Sequence, residues 1–196
     1  MAFTAVILAG GQSARMGTDK AELPWMSAES PVEGQGSLAA HIHAKTALQC
    51  EKVLLSGPKN YGLPITHFAD SPRAPKGPVA ALYSALEHIG QAEGFFTVPI
   101  DAPFFPDDLC ARLYGPQSAI AAGSDGLHPV FGWWLAADLK RAFAGLDTSR
   151  SLSMRHLAKL CGARQVKWDD ETLFANINRP EDYSKYQKIA VNIGRV

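Results

Sequence analysis

The sequence predicts an α/β domain: a mostly parallel sheet with helices on both faces. Two observations lead there. The continuous apolar run Val6, Ile7 and Leu8, and the largely apolar "GFFTVPID", read as strands buried on both faces. Amphipathic segments fall between such runs nearly throughout the chain, the alternation expected of strands joined by crossover helices. A third sets the size. The chain has 196 residues, 46% of them hydrophobic, enough for one domain with a real core over residues 1–196, whereas two full domains would be cramped.

The first strand ends in Gly10 and Gly11. Residues 27–36, "SAESPVEGQG", have a linker's composition and predict a mobile surface loop. Ser37 is placed to cap a helix through "LAAHIHAKTALQ". "KVLLSG" and "PITHFAD" read as the next strands. Pro78 suits the first turn of a helix whose apolar face is Val79, Leu82, Leu86 and Ile89. "GFFTVPID" ends at Asp101. Pro106 then opens a helix, with Asp107 and Asp108 complementing the dipole of its first turn. "SAIAAG" and "HPVFGWWL" follow as strands, "SLSMRHLAKLCG" as a helix closed by Gly162, and "RQVKW" and "LFANIN" as the last strands. A C-terminal helix starts at Pro180.

Net charge is zero, which argues against a nucleic-acid-binding surface. Cys50, Cys110 and Cys161 are odd in number and widely spaced, with no zinc pattern, and fit a reducing compartment. The N-terminal apolar run is short and has no basic residue before it, unlike a secretory leader. No stretch approaches the roughly 18 apolar residues of a membrane span. The expectation is a cytoplasmic protein engaging neither nucleic acid nor membrane.

In open α/β sheets, ligands bind outside the carboxyl ends of the strands. The Gly10–Gly11 loop and Asp101 both fall at such ends and therefore predict one site. The loop fits neither the P-loop spacing nor the dinucleotide fingerprint. Its chemistry is nonetheless that of an anion cradle. Glycines allow close backbone approach, Arg15 adds a planar fork of donors, and Lys20 a compact charge. A surface turn with two solvated cations is the plainer alternative.

"LAGGQSARMGTDK" resembles the pattern Leu-Ala-Gly-Gly-x-Ser-x-Arg-Met-Gly-x-Asp-Lys of the molybdenum cofactor guanylyltransferases, within the nucleotidyltransferase superfamily. "ADSPRAPKGPVAAL", "VPIDAPFFP", "HPVFGWW" and "NINRPEDY" resemble later family segments in the same order, so the likeness runs from residue 5 to 183. Arg179 stands at the usual threonine, Ala81 at a common glycine and Ser56 at an asparagine. Residues 25–36 are longer and more polar than in the family.

The resemblance implies a three-layer α/β/α, Rossmann-like nucleotidyltransferase fold. It implies attack by the terminal phosphate of molybdopterin on the α-phosphate of GTP, forming molybdopterin guanine dinucleotide and releasing pyrophosphate. Arg15 and Lys20 would hold the triphosphate. Leu8, Ala9, Gly10 and Gly11 would present backbone to the nucleotide, with Ser56 and Asp70 beside it. Asp101 would hold Mg²⁺, which favours carboxylate and phosphate oxygens; capping the turn that follows is its alternative role.

On the acceptor side the candidates are His128, Asn176 and Asn178. Alternation along "NIN" lets only one asparagine face the site, and superfamily analogy favours Asn178, beside the metal. Adjacent Trp133 and Trp134 point to opposite faces; one could flank a pterin, or they are one core ring and one rim ring. Expected partners are GTP, molybdopterin or the molybdenum cofactor, molybdenum-insertion proteins and molybdoenzyme chaperones. Two other readings stay open: a related transferase using CTP or another acceptor, and a catalytically silent nucleotide-binding regulator.

Overall fold

The computed structural model describes residues 2–10, 18–26, 36–147, 150–170 and 172–193. Arg15, Gly11 and residues 27–35 of the predicted surface loop lie outside these. Seven strands form the main sheet: β1 (Thr4–Leu8), β4 (Lys52–Ser56), β5 (Thr66–Phe68), β6 (Gly94–Pro99), β7 (Ala119–Gly123), β8 (Gly126–Leu135) and β9 (Arg164–Lys167). Their order is β5-β4-β1-β6-β8-β7-β9. Every neighbouring pair is parallel except those made by β8, which runs against both β6 and β7. Two short segments, β2 (Pro24–Trp25) and β3 (Gly36–Ser37), pair separately.

Alternation explains the uninterrupted apolar runs. Ala5 and Ile7 enter one core and Val6 the other; Phe96 and Phe95 divide the same way, as do Trp133 and Trp134. The first core is covered by α1 (Leu38–Ala47), α3 (Leu109–Leu113) and α6 (Pro180–Ile193). The second is covered by α2 (Ala80–Ala85), α4 (Ala136–Ala144) and α5 (Met154–Leu160). The result is three layers, with side chains of every central strand buried on both faces. Among the described residues no helix is long and apolar enough to cross a membrane.

Ser37 does cap α1, accepting from Ala40 N at 3.2 Å, and Gly162 closes α5 with φ +62°. Other local expectations need correction. Pro78 lies two residues before α2, ahead of the cap Val79. Asp107 and Asp108 precede α3 and have tertiary partners instead: Asp107 pairs with Lys45, and Asp108 accepts from Trp168 Nε1 at 2.9 Å. Helix α4, not anticipated, follows directly from β8. Both tryptophans are core residues, so neither is a rim ring nor a flank for a pterin. "LFANIN" forms no strand.

The chain moves from β1 outward to β4 and β5, then returns to place β6 on the other side of β1. That reversal opens a crevice at the carboxyl ends of β1 and β6, where such sheets take their ligands.

Candidate active site

A cavity of about 570 Å³ opens at this crevice, lined by residues 8–10, Asp19, Lys20, Asp70, Gly77, Pro78, Ala81, residues 99–101 and Val130. Just past its end, β1 is tied to β4 by Ala9 N donating to Ser56 O at 2.8 Å, and to the end of β6 by Ile100 N donating to Leu8 O at 3.1 Å. Among the described residues, a Cβ added at Gly10 would meet nothing within 4 Å. That open space beside the backbone lets a ligand come close.

Lys20 opens a 3₁₀ turn, Lys20–Glu22, whose cap Asp19 accepts from Ala21 N at 3.1 Å. Lys59 braces the same turn, reaching Glu22 at 2.6 Å and Asp19 at 3.4 Å. From this turn the Lys20 ammonium reaches Asp101 Oδ2 at 3.1 Å and Asn178 Oδ1 at 2.9 Å. The ion pair is largely screened from water, with side-chain exposures of 14% for Lys20 and 23% for Asp101.

Asn178 arrives without a strand. Ile177 N donates to Asp101 O at 2.8 Å. Asp182, on the first turn of α6, accepts from Asn178 N and Arg179 N, both at 2.9 Å. Of the two asparagines it is Asn178, favoured by superfamily analogy, whose side chain meets Lys20; the alternation argument fails, because residues two apart share a strand face and no strand forms here. Both asparagines are exposed and neither lines the cavity wall; Asn178 differs by its contact with Lys20.

The remaining candidates divide. Leu8, Ala9, Gly10 and Asp70 line the cavity. Asp70 is exposed at its wall, yet partial desolvation raises its carboxyl pKa above the ordinary value. Ser56 is buried at the end of β4 and is not part of the wall. His128 is set apart by an irregularity in β8. Consecutive residues Ile120 and Ala121 of β7 pair with Gly132 and His128, so residues 129–131 bulge past a single step. Val130 reaches the cavity, while His128 stacks on Phe174 at 4.9 Å and bonds Asp125 at 2.7 Å. Gly77, Ala81, Val130 and Asp182 had not been singled out for the site. For Asp182 a signal existed: Pro180 at the first helical position makes residue 182 an acidic third position, able to reach back to the N-cap N–H as in one half of a capping box.

Asp101 Oδ2 and Asn178 Oδ1 converge on one cationic centre. Both are the hard oxygen donors that Mg²⁺ and similar ions take. Among the described residues no three or more His, Cys, Asp or Glu side chains gather as a metal cage. The donor set thus fits an ion completed by substrate phosphates.

Residues 5–166 match the family model of the MobA-like NTP transferase domain. A molybdenum cofactor guanylyltransferase of Rhizobium leguminosarum bv. trifolii (strain WSM2304) is 34% identical, with 93% of this chain and 90% of that protein covered. Among solved structures, the Rv0371c homologue from Mycobacterium sp. strain JC1 superposes with TM-score 0.70 at 20% identity, covering 97% of this chain and 98% of that one. Rv0371c from Mycobacterium tuberculosis, solved in complex with manganese, gives TM-score 0.61 at 15% identity, covering 96% and 99%.

Proposed function

The chain belongs to the MobA-like NTP transferases, and on that premise we propose that it transfers GMP from GTP to the terminal phosphate of molybdopterin. The single observation that supports a working site is the meeting of Lys20, Asp101 and Asn178 beside the β1–β6 crevice. An oxygen of the acceptor phosphate forms a bond to the α-phosphorus of GTP. The bond from that phosphorus to the bridging oxygen of the β-phosphate breaks, and pyrophosphate leaves with the electron pair. The obstacle is one anion approaching another, so positioning and charge neutralisation supply most of the catalysis.

In this reading the Lys20 ammonium transfers its contacts to phosphate oxygens as the nucleotide binds. The open backbone at Gly10 admits the nucleotide closely, and the Asp70 carboxylate accepts from the N1–H and exocyclic amine of guanine. Arg15, outside the described residues, adds a guanidinium to the triphosphate. Asp101 and Asn178 would hold Mg²⁺, which supplies Lewis-acid neutralisation of phosphate charge.

The test offers each of the four NTPs with Mg²⁺ and molybdopterin, follows pyrophosphate release, and separates the dinucleotide products. GTP is expected to exceed CTP and ATP by at least about 10² in kcat/KM, because a wrong base leaves polar site groups unpaired. Mainly cytidylated product overturns the guanylyl assignment.

A further inference from the structure

We infer that Asp182 is a positioning residue that sets the Asn178 amide for metal and nucleotide binding; this rests on the reading of the site given above. Residues 175–178 belong to no strand, so no sheet ladder fixes the backbone that delivers Asn178. Three successive N–H groups hold it instead. Ile177 N is bound to the Asp101 carbonyl at 2.8 Å. Asn178 N and Arg179 N are both bound, at 2.9 Å, to the same Asp182 oxygen. The backbone carrying Asn178 is therefore clamped between the β6 end and α6. Its side-chain oxygen, 2.9 Å from Lys20 Nζ, is aimed by that clamp.

Helix α6 is itself tied to the segment that follows Lys20. Tyr183 Oη donates to Pro24 O, and the Gln187 amide clasps Met26 through N–H to Oε1 at 3.3 Å and Nε2–H to O at 2.7 Å. One helix thus holds the arms bearing both Lys20 and Asn178. Asp182 is not part of the cavity wall and acts through Asn178. Ile177, fully buried in the first core, keeps the segment attached when Asp182 is lost. The consequence of losing it is a loosened amide within an intact fold. Outer partners that orient metal ligands typically contribute 10–100-fold in metal affinity.

The experiment is a double-mutant cycle on the full chain. Mn²⁺ affinity in the presence of GTP is read by electron paramagnetic resonance for wild type, Asp182→Ala, Asn178→Ala and the double variant. Asp182→Asn and Glu181→Ala are carried alongside, and thermal midpoints are recorded for all. Asp182→Ala is expected to weaken Mn²⁺ binding about tenfold. It should add nothing in the Asn178→Ala background, because coupled residues are non-additive. Asp182→Asn, which keeps an acceptor oxygen, restores most of the affinity, and Glu181→Ala stays near wild type.

Additive losses, or a change under about twofold in Asp182→Ala, overturn the inference and leave only a helix cap. A wild type that binds no Mn²⁺ with GTP overturns it together with the site reading. A wild type that binds both but transfers nothing to molybdopterin removes the acceptor assignment and leaves the Asp182 result standing.

Discussion

Gly77 offers the sharpest test of how the cavity wall is built. Its φ is +94°, and a Cβ there would lie 2.6 Å from Ser151 Oγ and 3.4 Å from Leu152 O. Gly77→Ala therefore carries two separable costs. A non-glycine residue in the left-handed region costs roughly 1–2 kcal/mol. Pressing a methyl group into packed neighbours costs about 1–3 kcal/mol more. Relief would require shifting the 150–152 segment, which is tied to the same loop by Leu152 N donating to Lys76 O at 3.2 Å. The sum, about 2–5 kcal/mol, corresponds to a fall in Tm of roughly 4–20 °C for a domain of this size. Urea unfolding gives the free energy, and the Ser151→Ala background separates the parts. With Oγ gone, the nearest Ser151 atom is its Cβ at 3.7 Å, an ordinary contact, so only the backbone cost should remain. A Gly77→Ala cost below about 0.5 kcal/mol refutes the strain argument, and an equal cost in both backgrounds refutes the steric one.

Asp101→Ala should cut turnover by ~10² or more, the scale of a major transition-state electrostatic contact, with circular dichroism unchanged; normal turnover with Mg²⁺ excludes Asp101 as the ligand. All three cysteines are buried. Burial pushes the Cys161 thiol up to about 12, and a hydrogen bond to Cys50 and then burial raise that of Cys110. A chromogenic disulfide reagent near neutral pH should therefore find no fast thiol in the native protein and three on unfolding; one fast native thiol contradicts this packing. Desolvation raises the Asp70 pKa, so the folded state holds that proton more tightly than the unfolded state and loses stability as pH rises from the unfolded value through the raised one. Asp70→Asn should thus be more stable than wild type at neutral pH, with the advantage gone below about pH 4; an advantage unchanged with pH removes desolvation as its cause.

The layered fold was legible because its signal is local and redundant. Strands such as "GFFTVP" bury both faces and are almost wholly apolar, their one polar side chain, Thr97, accepting from Trp134 Nε1, and the helices between them keep one apolar face. "NIN" misled for a physical reason. Exposed Asn176, buried Ile177 and exposed Asn178 alternate as in a half-buried strand, but among the described residues no neighbouring strand pairs with them. Their order comes from the Asp101 carbonyl and the Asp182 carboxylate, which a local pattern does not display. His128 was drawn toward the acceptor by its place beside Pro129; the three-residue bulge in β8 turns it onto Phe174 instead. Bulges depend on how two strands meet, and only one of those strands is in view when "HPVFGWW" is read alone.

The site itself was half legible. Gly10 and Asp101 could be joined from sequence because strand ends in a parallel sheet share one edge. Asn178 could be favoured only by analogy, since Lys20 and Asn178 meet across 158 positions. What brings them together is the return of the chain after β9. Helix α6 packs on the same face as α1 and α3, and its first turn then lies beside the end of β6. The Lys20 side chain comes from another element, a short turn braced by Lys59. Each charged group therefore rests on a separate element, and no one element can shift without breaking a contact to another. That is the arrangement required of a site whose chemistry depends on holding phosphate groups in register.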